Sequence, residues 1–233
     1  MKTALVTGAA RGLGHAIALN LAQDHNVAIT WRSTAPTGML TDHPNIADFQ
    51  IDLANPDATA DLPKRVIDQF GSLDIIVNNA GSILTDDAEN YDAQAVATNF
   101  NVNVNAPMGL VAAALPHLQP GAAIVNISSQ NARLPAMVAH SYSASKAALD
   151  TWTKIAAKTL GPKGIRVNAV APGAVNTPEA TRPDDITDMI INDSALRRMA
   201  TPEDIATAVR FLASDAAGAI SGAILDVNAG YRL

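Results

Sequence analysis

Short, almost wholly apolar runs recur along the chain: Ala4-Leu5-Val6, Val27-Ala28-Ile29, Asp74-Ile75-Ile76-Val77, Ala123-Ile124-Val125-Asn126-Ile127, Val167-Asn168-Ala169-Val170 and Ala223-Ile224-Leu225-Asp226-Val227. Runs this short, without strict alternation, suit strands covered on both faces. Between them apolar residues return every three or four positions, near 12-24, 63-70, 92-118, 141-160 and 202-213, and this spacing predicts helices. The last of these opens at Thr201-Pro202-Glu203-Asp204, which supplies a cap, a first-turn proline and two acids suited to the positive end of a helix dipole. Strand and helix in alternation predict an α/β fold: a doubly wound parallel sheet with helices on both faces. Residues 33-47 hold Pro36, Gly38 and Pro44, so any helix there shrinks to a turn. Residues 178-200 read as a long polar loop, a candidate substrate lid. No Pro/Gly/Ser-rich linker, charge run or repeat divides the chain, and residues 1-233 read as one domain.

Composition narrows the function classes. Sixteen Lys and Arg against 22 Asp and Glu give a formal charge of −6, and no basic block offers a footprint for a nucleic-acid backbone. With no cysteine there is neither a disulfide nor a thiolate metal site, a pattern compatible with a cytoplasmic protein. His15, His25, His43, His117 and His140 show no paired ligand spacing, so no metal is expected. Residues 93-132 carry no Asp, Glu, Lys or Arg, but asparagines and prolines interrupt them. The longest apolar piece, residues 106-115, is too short for a bilayer, which needs about 20 residues. The first seven residues lack a signal peptide's apolar region, so the protein is expected to stay in the cytoplasm.

The first predicted strand runs into Thr7-Gly8-Ala9-Ala10-Arg11-Gly12-Leu13-Gly14, and Ile17, Ala18 and Leu21 continue at helical spacing. Glycine permits positive φ and close backbone approach, and a helix start offers free N–H groups and a positive dipole end to a phosphate. The G-x-x-x-G-x-G spacing is therefore a candidate pyrophosphate cradle, though a tight strand-to-helix turn would use the same glycines. Further motifs follow in order: Asn78-Asn79-Ala80-Gly81 and Ser129 after strands, Tyr142-Ser143-Ala144-Ser145-Lys146 at a helix start, and Pro172-Gly173 after the next strand. Together these elements, which span essentially the whole chain, resemble the short-chain dehydrogenase/reductase family, and more broadly its 3-oxoacyl-[acyl-carrier-protein] reductase-like members. The resemblance implies a single Rossmann-like domain that transfers hydride between a nicotinamide cofactor and a carbonyl or secondary alcohol.

The resemblance also assigns cofactor contacts. Gly8, Gly12 and Gly14 would line the pyrophosphate, Asp52 would accept from the adenine amino group, and Asn79, Ala80 and Gly81 would pass along the ribose. Pro172, Gly173, Val175 and Thr177 match the segment holding the nicotinamide carboxamide. Leu13, Ser33, Leu53, Tyr142 and Lys146 complete the set. Asp52 and Thr177 equally suit local caps. At the end of the second predicted strand Trp31 stands where an NAD(H) enzyme places an acid for the ribose hydroxyls, and Arg32 follows it. Guanidinium groups match phosphate geometry and stay charged, so Arg11 and Arg32 favour NADP(H) over NAD(H).

Tyr142 and Lys146, four apart, leave one helix face together. A tyrosine with pKa about 10 needs roughly 4 kcal/mol of phenolate preference to work near pH 7, and a neighbouring ammonium supplies bias of that kind. By resemblance Tyr142 is the acid/base, Lys146 holds the nicotinamide ribose, Ser129 binds the substrate oxygen and Asn103 organises water toward the lysine. Ser128 lies next to Ser129 but should face the other way. Asn99, Asn101 and Asn105 lie close to Asn103. Val227-Asn228-Ala229-Gly230 departs from the family's Val-Asp-Gly-Gly, and His140 either lines the pocket or begins a helix. A non-catalytic nucleotide-binding regulatory protein on the same fold is the alternative, but it would need none of the Ser129, Tyr142 and Lys146 geometry. The resemblance, with the uncharged run of residues 93-132, further implies a homo-oligomer, a tetramer with two long helices at one interface.

Overall fold

The structure, a computed structural model, describes residues 1-232. Seven parallel strands form one sheet in the order β3-β2-β1-β4-β5-β6-β7. They are β1 (Thr3–Val6), β2 (Asn26–Trp31), β3 (Ile46–Gln50), β4 (Ile75–Asn78), β5 (Ala123–Ile127), β6 (Arg166–Pro172) and β7 (Ile224–Val227). Along β1, Ala4 and Val6 enter the apolar layer shared with α1 (Gly12–Leu21) and α8 (Pro202–Ala213), while Leu5 enters the opposite layer. That second layer packs against α3 (Pro56–Phe70), α5 (Ala106–Ala114) and α6 (His140–Leu160). Burial on both faces explains the unbroken apolar runs of the central strands. The strand order reverses between β1 and β4, and such a switch point opens a crevice at the carboxyl ends of an α/β sheet.

Some elements differ from the sequence expectation. β3 is absent from the six apolar runs because its Ile-Ala-Asp-Phe-Gln is a partly exposed edge strand. α3 begins at Pro56 and not near residue 63, since Asn55 accepts from the N–H groups of Asp57 and Ala58 and so caps an Asp- and Ala-rich first turn with little apolar signal. Residues 178-200 contain a helix, α7 (Asp184–Asp193), which buries Ile190. The expected turn in residues 33-47 is the four-residue α2 (Met39–Asp42). The predicted 92-118 helix is α4 (Ala93–Phe100) and α5 joined by a π-helical turn at Asn101–Asn105. Asn101, Asn105, Met108 and Ala112 form an uncharged outward face on it.

β4 and β5 pair with Asn78 opposite Asn126. Asn78 donates to Asn126 at 2.8 Å, Asn126 to the Thr153 hydroxyl at 2.8 Å, and Thr153 to the Leu149 carbonyl at 2.8 Å. These satisfied bonds tie α6 to the sheet in a buried layer, where an unmade bond would cost about 1–3 kcal/mol.

Candidate active site

A cleft of about 940 Å³ runs across the carboxyl ends of the strands, from the turn after β1 to the start of α6. At one end Gly8 and Gly12 take φ of 63° and 60°. A Cβ on Gly8 would stand 2.8 Å from the Ala80 Cα, and one on Gly14 would collide with the Asn79 side-chain amide. Close approach therefore requires glycine at Gly8 and Gly14, and backbone angle at Gly8 and Gly12. Asn79 donates to the Thr7 and Gly8 carbonyls at 2.8 and 3.0 Å, clamping the turn after β4 to the loop after β1. Arg11, Leu13, Arg32, Ser33, Asp52, Leu53, Ala80 and Gly81 all line the cleft. Asp52 accepts from the Ala54 N–H at 3.0 Å, so it does form a local turn while also facing the cleft. Trp31 donates to Asp48 on β3 at 2.6 Å. Among the described residues neither Arg11 nor Arg32 is in an ion pair with a carboxylate.

On the opposite wall lie Pro172, Gly173, Val175 and Thr177. A Cβ on Gly173 would stand 2.6 Å from the Asn228 Cβ, so the turn after β6 packs against the segment after β7. Thr177 approaches the glycine loop, 3.9 Å from where a Gly12 Cβ would lie. Glycine-loop N–H groups at a helix start and a close-packed turn fit the phosphates of a dinucleotide, and Arg11 and Arg32 line the same cleft.

Ser129, Tyr142 and Lys146 meet at the inner end. The Lys146 ammonium donates to the Ile127 carbonyl at 2.8 Å and lies 5.8 Å from the Tyr142 ring centre. Burial lowers the Lys146 pKa to about 8, against an opposing pull from Asp150. Burial also pushes the Tyr142 phenol above its ordinary value, while its contact with the Ser129 hydroxyl pulls the other way. The lowering expected of Tyr142 is thus not present. The ammonium is bonded to a backbone carbonyl, and desolvation of the phenolate dominates. Ser128, as alternation requires, turns away and donates to Asp150 at 2.5 Å.

Asn103 lies behind the cleft wall and is 1% exposed. Its amide accepts from the Ser82 N–H at 2.8 Å and donates to the Ser82 carbonyl and the Ser145 hydroxyl, both at 2.9 Å. Asn99, four residues earlier, repeats the pattern one turn away. It accepts from the Leu84 N–H at 3.1 Å, donates to the Leu84 carbonyl at 3.0 Å and donates to the Ser141 hydroxyl at 2.8 Å. Ser141 in turn donates its hydroxyl to Asp86 at 2.8 Å and its N–H at 3.0 Å. Two asparagine rungs thus join α4 and the π-helical turn to the α6 serines that flank Tyr142 and Lys146. The sequence does not single out Asp86, Ser141 or Ser145 as site residues, and it offers Asn99 only as a neighbour of Asn103. The i, i+4 match of the two asparagines with the two serines was the available signal. His140 begins α6 and is exposed. Among the described residues no three His, Cys, Asp or Glu side chains cluster as a metal site requires, and no helix is long and apolar enough to cross a membrane.

A family model described as enoyl-(acyl carrier protein) reductase matches residues 8–232. The chain is 34% identical over 242 residues to a 3-oxoacyl-[acyl-carrier-protein] reductase of Staphylococcus epidermidis, covering all of this chain and 99% of that one. The chain belongs to the short-chain dehydrogenase/reductase family. A short-chain dehydrogenase/reductase from Serratia marcescens superimposes with TM-score 0.93 at 33% identity, covering 100% of this chain and 98% of that one. A short-chain dehydrogenase from Burkholderia cenocepacia in complex with NADP gives TM-score 0.93 at 34% identity with the same coverage. Membership makes this chain an oxidoreductase of that family, and the ordered motifs are its ordered strand ends.

Proposed function

We propose that the chain is an NADP(H)-dependent reductase of carbonyl compounds, reversible as a secondary-alcohol dehydrogenase, built as one catalytic domain. The observation that carries this reading is the buried Tyr142 phenol in contact with the Ser129 hydroxyl, at the inner end of a cleft that begins at the glycine loop. The NADP-bound Burkholderia relative supports the cofactor class, as do Arg11 and Arg32, which line the cleft and are in no ion pair with a carboxylate among the described residues.

In this reading the bound nicotinamide supplies hydride to the carbonyl carbon, or takes it back from the alcohol. Ser129 and Tyr142 hold the substrate oxygen, and Tyr142 gives that oxygen its proton. The upward push on the phenol keeps it protonated at neutral pH, the state a proton donor needs. The Lys146 ammonium stabilises the phenolate left behind, and the Ile127 carbonyl aims it. The two asparagine rungs keep the flanking serines of α6, and hence both groups, in place. Burial of the phenol and ammonium limits the water that could compete for the proton.

The test is a screen of purified protein with NADPH against carbonyl compounds, followed by loss of cofactor absorbance. Tyr142→Phe should lower turnover by about 10²–10⁴, the ordinary worth of a general acid, while NADPH binding holds. Lys146→Met should weaken both turnover and NADPH binding. Wild-type turnover in Tyr142→Phe would remove the acid/base role.

A further inference from the structure

The end of the cleft beyond Ser129 and Tyr142 is walled by aliphatic side chains on pinned backbone. Ile83 and Leu84 line it and are 65% and 41% exposed. The segment that carries them is not loose: Asn103 bonds both polar backbone groups of Ser82, and Asn99 bonds both of Leu84. A second segment lies beside it, joined through the Asp86–Ala139 bridge and the His140 N–H to Asp86 carbonyl bond of 3.2 Å. This second segment exposes Met137 and Val138 by 86% and 64%. Ile83 and Leu84 therefore stand in water on a pinned backbone at the cleft, and Met137 and Val138 stand in water on the neighbouring segment, which is tied to it at Ala139 and His140. Solvent exposure forgoes the burial free energy of each, and a fixed apolar patch at a cleft mouth marks a binding surface.

The wall carries no charge: residues 82-85 and 134-139 hold no Asp, Glu, Lys or Arg. The cations that line the cleft lie elsewhere. Arg11 and Arg32 stand at the glycine-loop end, and Lys146 donates to the Ile127 carbonyl. Arg182 donates to the Val175 carbonyl and the Asn176 side chain at 2.9 and 3.1 Å, on the segment whose Thr177 approaches the glycine loop. An anionic group carried along the aliphatic wall would lose its water and gain no counter-charge there.

Resting on the reductase reading, we propose that the substrate is a neutral ketone or secondary alcohol whose hydrocarbon chain lies along Ile83, Leu84, Met137 and Val138, and that a carboxylate or phosphate on that chain is disfavoured. Each methylene laid on such a wall is worth up to about fourfold in kcat/KM, from about 0.8 kcal/mol per buried CH₂ at 1.36 kcal/mol per decade.

The experiment compares 2-butanone, 2-hexanone and 2-octanone with NADPH, and sets 2-octanone against 7-oxooctanoate, in which the terminal methyl is a carboxylate. kcat/KM should rise about two- to fourfold per methylene, and 7-oxooctanoate should fall at least tenfold below 2-octanone. Ile83→Asn and Met137→Gln should each flatten the chain-length series. In parallel, calorimetry measures binding of the unreactive butanamide, hexanamide and octanamide, which should tighten with length in the wild type and less in the variants. A flat amide series, or 7-oxooctanoate reduced as well as 2-octanone, overturns the proposal. Absence of turnover with every ketone, beside an amide series that still tightens, removes the reductase reading and keeps the apolar wall.

Discussion

The two ends of the cleft are built on opposite principles. At the inner end Tyr142, Lys146, Asn99, Asn103, Ser141 and Ser145 are buried, and the asparagines and serines bond across at least two chain segments. At the outer end Arg11 and Arg32 are exposed and Asp52 sits on a turn. Bonds formed in a low dielectric hold a geometry firmly and penalise any partner left unpaired. Long charged side chains in water contribute selectivity through one ligand group and little to the fold. The contrast teaches that the residues around Tyr142 and Lys146 are locked into the core, while the charged groups at the other end are few, exposed and replaceable.

With the acid/base pair left intact, the largest expected effect comes from reversing charge at the outer end. If Arg11 and Arg32 meet a 2′-phosphate, each charge-assisted bond is worth roughly 1.5–3 kcal/mol before solvent screening. That converts to a preference for NADPH over NADH of about one to three decades in kcat/KM. Arg32→Asp should remove most of this preference, a change read directly as the ratio of the two specificity constants. Arg11→Ala should cost less, because Arg32 remains. Thermal stability should hardly move, since neither guanidinium is in an ion pair among the described residues. An unchanged ratio in Arg32→Asp would take the 2′-phosphate role away from this end.

Breaking one asparagine–serine rung at the inner end should change rate less and stability more. Ser141→Ala deletes the hydroxyl that accepts from Asn99 and donates to Asp86, next to Tyr142. Kept in place are the Ser141 N–H bond to Asp86 and both Asn99 bonds to Leu84. Loss of one buried rung should cost about 1–3 kcal/mol of stability and about tenfold in kcat, with NADPH affinity preserved because Lys146 lies on the other rung. Steady-state kinetics with a cofactor titration separates the two. A fall in NADPH affinity with kcat intact would assign the Asn99–Ser141 rung to the cofactor instead.

The same contrast governs what could be read from the chain. The central strands were legible because burial on both faces demands continuous apolar runs, as in Ala4-Leu5-Val6 and Ala123 to Ile127. Edge strand β3 was not, because half of Ile-Ala-Asp-Phe-Gln faces solvent. α7 was read as loop because Asp184, Asp185 and Asp188 mask a helix that buries only Ile190. The glycines stand out through fixed spacing after a predicted strand, and Tyr142 and Lys146 through their i, i+4 spacing at a predicted helix start. Asp86 did not, because its bond to Ser141 joins residues 55 apart in sequence, and only the fold brings them together. The raised Tyr142 pKa was likewise hidden, since desolvation depends on packing that spacing does not report.

The smallest expected effect is a shift in a pH profile, and it tests whether the inner end is electrostatically coupled as well as bonded. Burial holds Lys146 at about 8, below its ordinary 10.5. Between those values the unfolded chain binds more protons than the folded one, so this group's contribution to stability is full above 10.5 and lost as pH falls through about 8. The proposed reduction needs the ammonium, so kcat/KM for NADPH-dependent reduction should fall as pH rises through about 8. Tyr142 is pushed upward and does not set this limb. The opposing pull on Lys146 comes from Asp150, which accepts from Ser128 at 2.5 Å and also feels Arg133, Lys154 and Asp226. Asp150→Asn keeps an acceptor for Ser128 and removes the negative charge. The limb should therefore move to lower pH, by less than about one unit at the effective dielectric of partly buried sites. A limb that stays in place would show that Asp150 only braces the helix, and one that moves upward would reverse the sign of the coupling.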